Sequence, residues 1–232
     1  MKENMKNIKK ALISMIAIIG LTTSAFAFEG FSIGATYSST DFSTKGTERT
    51  NGVDGSGAAG VISTPLTKTG SADIGSIFAE YTFSQGSTIG VDYVDGSAEM
   101  GKASRTSVSG GVTSTVTASA EISDPLTLYV EPTYMFNEKF GLFLKGGVTE
   151  LTVTPKEVDA GSVTTSTYSA KDLYGMMTGV GAKYYMGNFF VKAEFTETDF
   201  ANYSHTSTTG EGNTISADLD TEETKFSLGY NF

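Results

Sequence analysis

The chain has 232 residues with 16 basic and 26 acidic side chains, 27 glycines, no cysteine and a slightly negative mean hydropathy. The missing cysteines exclude a disulfide framework and thiolate chemistry, and the acidic balance excludes nucleic acid as a partner, since phosphates demand a basic surface. No stretch after residue 27 approaches the ~20 apolar residues of a membrane-spanning helix, so strands joined by polar connections are the expected material.

The first segment is read as a leader. Lys2, Lys6, Lys9 and Lys10 make a basic start and residues 11–21 an apolar run too short to cross a bilayer. Ala25-Phe26-Ala27 then supplies the small-x-small pattern cut by signal peptidase. A signal peptide over 1–27 is expected, with Ala25 and Ala27 as the cleavage determinants and a single domain over 28–232; an uncleaved anchor is the alternative. Met5 heads a complete basic region of its own, so the start is open between Met1 and Met5. The leader carries four lysines and one glutamate of the 16 and 26, which leaves 12 against 25, a formal charge of −13.

Period-2 alternation, the mark of a strand with two unlike faces, then recurs eight times. The first run, 29–40, sets Phe31, Ile33, Ala35 and Tyr37 against Ser32, Gly34, Thr36 and Ser38. The second, 74–83, sets Ile77, Ala79, Tyr81 and Phe83 against Phe78, Glu80 and Thr82; the third, from Thr88, sets Ile89, Val91 and Tyr93 against Gly90 and Asp92. In the fourth, 125–136, Leu126, Leu128, Val130, Tyr134 and Phe136 stand opposite Thr127, Glu131 and Thr133. Pro132 interrupts this run, and a proline cannot donate to a ladder, so a bulge or frayed end is expected there. The fifth opposes Phe140, Leu142, Leu144 and Val148 to Phe143, Lys145 and Thr149. In the sixth, Tyr174, Met176, Val180, Ala182, Tyr184 and Met186 oppose Gly175, Gly179, Gly181 and Lys183. The seventh opposes Phe189, Val191, Ala193 and Phe195 to Lys192, Glu194 and Thr196, and the eighth Phe226, Leu228, Tyr230 and Phe232 to Lys225, Ser227, Gly229 and Asn231.

Runs of about ten residues match the 9–11 needed by a tilted strand crossing hydrocarbon. Tight turns at 84–87, 137–139 and 187–188 alternate with long polar stretches at about 41–73, 95–123, 153–172 and 199–221. Within the second of these, 112–122 alternates weakly and is expected to rise as a hairpin arm. The pattern predicts an all-β fold, an eight-stranded antiparallel transmembrane up-and-down β-barrel. Its polar face carries Glu80, Asp92, Glu131 and Glu194 against Lys145, Lys183, Lys192 and Lys225, four against four. Such a balance suits a narrow lumen, where an unpaired charge costs several kcal/mol, and an eight-stranded bore is just wide enough for side chains to fill. Phe83, Phe136, Phe140, Tyr184, Phe189, Tyr230 and Phe232 near the short turns, and Tyr37, Tyr93, Tyr174 and Phe200 near the long connections, read as two interfacial girdles.

The terminal Phe226-x-Leu228-x-Tyr230-x-Phe232 looks like the signal by which barrel-assembly machinery recognises its clients. With the alternation and the turn rhythm, it makes 28–232 resemble the small outer-membrane β-barrel superfamily of opacity proteins and the transmembrane domain of the OmpA type. That resemblance implies integral residence in a bacterial outer membrane, periplasmic termini and four extracellular loops. It also implies outer-membrane lipid, lipopolysaccharide and the assembly machinery as partners, with an external ligand at the loops. It does not transfer one function. The leading expectation is a monomeric structural or surface-interaction barrel with a charge-plugged lumen; a narrow porin-like channel is the alternative, and a lipid-modifying enzyme ranks third. The only histidine, His205, stands beside Ser204 in what reads as a loop tip, too mobile to hold a nucleophile and base. Asp218, Asp220, Glu222 and Glu223 lack calcium-loop spacing. No catalytic residue, metal or cofactor is expected. Protein recovered from the envelope should begin at Phe28 by N-terminal sequencing, and the double variant Ala25→Leu, Ala27→Leu should accumulate as the heavier, uncut species.

Overall fold

The computed structural model describes residues 29–53, 59–84, 86–109, 112–159, 168–208 and 214–232. The expected signal peptide, with Ala25 and Ala27, lies outside them. The described chain forms β1 (Gly30–Val53), β2 (Ala59–Thr82), β3 (Thr88–Tyr93), β4 (Ser97–Ser109), β5 (Val112–Glu131) and β6 (Thr133–Met135). There follow β7 (Phe140–Asp159), β8 (Lys171–Met186), β9 (Phe189–Phe200), β10 (Tyr203–Thr206) and β11 (Thr214–Asn231). These make eight staves, because β4 continues β3, β6 continues β5 and β10 continues β9. All ladders are antiparallel, and β11 returns to β1, with Ser32 opposite Asn231 and Arg49 opposite Thr214, which closes the barrel.

Two irregularities have local causes. Pro132 separates β5 from β6 as expected. On one side Glu131 is already the last partner of β3, opposite Thr88; on the other the Pro132 carbonyl accepts the Leu144 N–H at 3.1 Å. The missing N–H therefore falls beyond the end of a ladder. Higher on the same stave the register slips between Ser123 and Leu126, where Asp124 adopts φ 53°, a conformation short polar side chains tolerate. Its N–H donates to the Gly96 carbonyl at 3.0 Å, which hinges the β4–β5 arm on the barrel below.

From the short turns upward, one face of every stave is apolar and exposed, as with Ile33, Ile77, Leu128, Leu144, Val180, Phe195 and Phe226. Among the described residues, twenty-four such large side chains form an outer belt, far beyond the few hundred Å² a soluble monomer tolerates. Phe83, Tyr134, Phe136, Tyr184, Phe189, Tyr230 and Phe232 girdle its lower edge; Tyr230 meets Phe189 at 5.1 Å and Phe232 at 5.2 Å. Tyr37 and Tyr174 mark the upper edge.

Above that edge the ladders continue, so most of the long polar stretches are strand and not irregular loop. The alternation keeps its phase but inverts its polarity. On β7, Val148 faces out below, whereas above it Glu150 and Thr152 face out and Leu151 and Val153 face in. On β9 and β11, the outward residues change from Phe195 and Phe226 to Glu197, Asp199, Glu222 and Asp220. The inward apolar residues Ile122, Leu151, Val153, Leu173, Phe200, Tyr203 and Leu219 pack across the bore as a collar, joined by Phe42 and Ile215. Phe200 thus belongs to this inner core, not to the upper girdle.

Inside the belt, large rings mesh with glycines on adjoining staves. A Cβ at Gly34, Gly181 or Gly229 would strike the ring of Phe78, Phe143 or Phe190, and one at Gly90 would lie 2.6 Å from the Tyr129 ring. Gly181→Val should therefore lower unfolding stability by about 1–3 kcal/mol through overpacking, read as a reduced urea midpoint for the refolded barrel, while Gly146→Ala, where a Cβ meets open space, should leave the midpoint nearly unchanged.

Candidate functional site

All eight charged residues expected on the polar face are inside the barrel and buried: Glu80, Asp92, Glu131, Lys145, Lys183, Lys192, Glu194 and Lys225 are each at most 7% exposed. They divide into two groups at different heights. In the lower half, the Glu131 carboxylate of β5 lies 3.3 Å from Lys145 of β7, 3.3 Å from Lys183 of β8 and 3.0 Å from Lys192 of β9. Lys192 also reaches Glu80 of β2 at 2.8 Å, and Lys145 reaches Glu194 of β9 at 2.7 Å. Three carboxylates and three ammonium groups therefore form one closed, neutral set spanning five staves.

Hydrogen bonds and rings complete it. Tyr129 donates its hydroxyl to Glu80 at 2.8 Å, and Lys183 donates to the Thr88 hydroxyl at 3.0 Å. Lys145 lies 4.0 Å from the centre of the Tyr129 ring and Lys192 lies 4.7 Å from that of Phe78, distances at which a desolvated cation is attracted to the ring face. Phe78, Tyr185 and Phe190 pack together against this network, so charge and aromatic volume jointly occupy the bore. Among the side-chain atoms of this set, one oxygen of Glu194 has no hydrogen-bond donor.

The second group is higher. Lys225 pairs with Glu223 at 2.7 Å, Glu223 accepts from Thr40 and Thr196 at 3.2 Å each, and Asp92 lies opposite on β3. The sequence reading takes Glu223 only as one of four neighbouring acidic residues and misses its place in the lumen. Its position two residues before Lys225, on the same face, was the available signal. The rest of that cluster faces outward: Asp218, Asp220 and Glu222 are exposed. No group of three or more metal-ligating side chains occurs among the described residues. Tyr129 was missed too, because an aromatic inside a strand does not announce which face it takes.

His205 is not in a loop tip but in β10, opposite Ile215. Strand alternation separates it from Ser204, which is exposed, so the two do not form a nucleophile–base pair. Its Nε2 accepts the Ser169 N–H at 3.4 Å, and its ring lies between Tyr168 and Tyr203. Burial pushes the Tyr203 phenol up to about 12. Phe226, Leu228, Tyr230 and Phe232 all face outward on the stave that closes against β1.

Because Glu131 is shared by three lysines, Glu131→Ala leaves uncompensated positive charge in the bore. A loss of about 3–5 kcal/mol is expected, measurable as a lower urea midpoint of the refolded barrel, whereas the exposed Glu197→Ala should shift it by less than about 0.5 kcal/mol.

The fold has counterparts among solved structures. They include the attachment invasion locus protein Ail of Yersinia pestis, at 10% identity and TM-score 0.31, covering 83% of this chain and 98% of that one. Neisserial surface protein A matches at 11% identity and TM-score 0.39, covering 86% and 99%, and OprG of Pseudomonas aeruginosa at 13% and 0.43, covering 86% and 97%. No curated protein matches the sequence. The model of the outer membrane protein β-barrel domain matches residues 12–232. The apolar belt, the closed antiparallel ladder and this match lead to one conclusion: the chain belongs to the outer membrane protein β-barrel family and resides in the bacterial outer membrane.

Proposed function

We propose that the protein is a structural and surface-interaction barrel whose membrane portion is a plug. The short turns face the periplasm, and the extended staves present an acidic surface to outer-leaflet headgroups and external ligands. The observation that carries this reading is the Glu131 network: three ammonium groups converge on one carboxylate within an aromatic-packed bore. Opening a water path there would separate buried ion pairs, at a cost of several kcal/mol for each charge left alone. The outward placement of Phe226, Leu228, Tyr230 and Phe232 beside the closing seam suits recognition by assembly machinery before the seam forms.

A second reading, a narrow channel for small solutes, draws support from one local feature. Lys145 lies between Glu131 and Glu194, and the second Glu194 oxygen has no donor. An alternative pairing is therefore available to this lysine.

Planar-bilayer recording separates the two. The plug predicts no ion current from the refolded protein, and current appearing only on removal of a network member, as in Lys145→Ala or Glu131→Ala. Steady unitary conductance of the unmodified protein would establish the channel instead.

A further inference from the structure

Between the ion-paired plug and the apolar collar lies a cavity of about 240 Å³. Asp92, Thr127, Thr149 and Lys225 line it on the plug side, and Phe42, Ile122, Leu151 and Phe200 on the collar side. It opens to the side. Above the Ile77–Tyr93 pair, β2 remains paired with β1 while β4 pairs with β5, and no ladder joins β2 to β4 among the described residues. Residues 72–76 and 94–98 form the two lips of this opening and line the cavity.

The charges of this cavity do not balance, in contrast to the three-against-three set beneath it. Asp92 and Glu223 line it with Lys225. Lys225 is engaged by Glu223 at 2.7 Å. Asp92 is 7% exposed and accepts from the Ser76 hydroxyl; Lys225 and Lys145 attract it only from beyond ion-pair distance, since no ammonium lies within 4 Å of it among the described residues. A carboxylate this deeply placed is strongly destabilised unless a cation joins it. The surrounding wall is built of hydroxyls that can accept further hydrogen bonds. Thr127 and Thr149 stand 2.9 Å apart beside Asp92, and Thr198 lines the cavity from β9. The roof is hydrocarbon and aromatic.

We propose that this chamber binds a small primary alkylammonium, with its –NH₃⁺ on Asp92 and its short hydrocarbon body under the collar. An ammonium brings three donors and no acceptor, which fits one carboxylate flanked by hydroxyl oxygens. The apolar end occupies the part of the chamber that offers no polar partner. Entry is through the gap between β2 and β4. The binding requires the plug only as a floor, so it does not depend on whether the bore below conducts.

The test uses the full-length mature protein refolded in lipid nanodiscs, with its threonine methyl groups carbon-13 labelled. n-Butylammonium, n-butanol, sodium butyrate and magnesium chloride are titrated separately. The expected result is a saturable shift of the Thr127, Thr149 and Thr198 methyls with n-butylammonium alone. The outward Thr178 and Thr224 report partition into lipid and should not saturate. Asp92→Asn should weaken the ammonium response at least tenfold, and Glu197→Gln, on the outer face, should leave it unchanged. The proposal is overturned if the inner methyls do not respond, if butanol, butyrate or magnesium shift them as n-butylammonium does, or if Asp92→Asn binds like the unmodified protein. The preference for ammonium over butyrate in the unmodified protein decides the matter independently of how well the variant refolds.

Discussion

Inside the membrane portion, every stave that meets the Glu131 network is held in register by it. The carboxylate on β5 must meet lysines from β7, β8 and β9, and two of those lysines must also meet Glu80 on β2 and Glu194 on β9. A slip of one residue on any of these staves would turn its charged residue toward lipid and a hydrophobic residue toward the charges. Hydrogen bonds of the ladder are nearly indifferent to such a slip, but the network is not. It supplies the specificity that a uniform backbone pattern lacks.

Volume provides the complementary constraint. Eight staves enclose a bore that side chains can fill, and this one is filled by rings alternating with glycines. Phe78 lies against Gly34, Phe143 against Gly181, Phe190 against Gly229 and Tyr129 against Gly90. The lysines then run across ring faces to reach their carboxylates. Packing and pairing are one arrangement here: the aromatic walls exclude water, and the exclusion makes neutrality obligatory.

Much of the membrane portion was legible in the sequence. Nearly every segment there has one wholly apolar face, and the charges on the other come in equal numbers, so strand, facing and closure followed from periodicity. The upper staves were not legible, because their polarity is reversed. In 150–153 the inward residues are the leucine and the valine, and the outward ones are Glu150 and Thr152. A reader expecting apolar residues outside meets a break in pattern and takes it for a loop. Phe200 was misplaced for the same reason: its phase is inward, and only its nearness to the long connections suggested a girdle. The β10 segment around His205 is four residues long, too short for period to declare itself. Glu223 and Asp92 are in phase with the lumen, but that they share a chamber depends on the curvature of the closed sheet, which no single strand encodes.

The reversal of polarity along the staves works as a waterline. Below it the outer face offers hydrocarbon, rings and an occasional threonine, with no charge; directly above it stand Glu150, Glu197 and Glu222. Sinking by a single residue pair would draw carboxylates into hydrocarbon, and rising would lift Phe195 and Phe226 into water. The barrel therefore has one depth at which it floats, and its covalent structure sets that depth on every side at once. A bilayer of a different thickness must adjust its lipids to the protein, since tilting a closed, stiff wall would submerge one set of carboxylates for each set it freed.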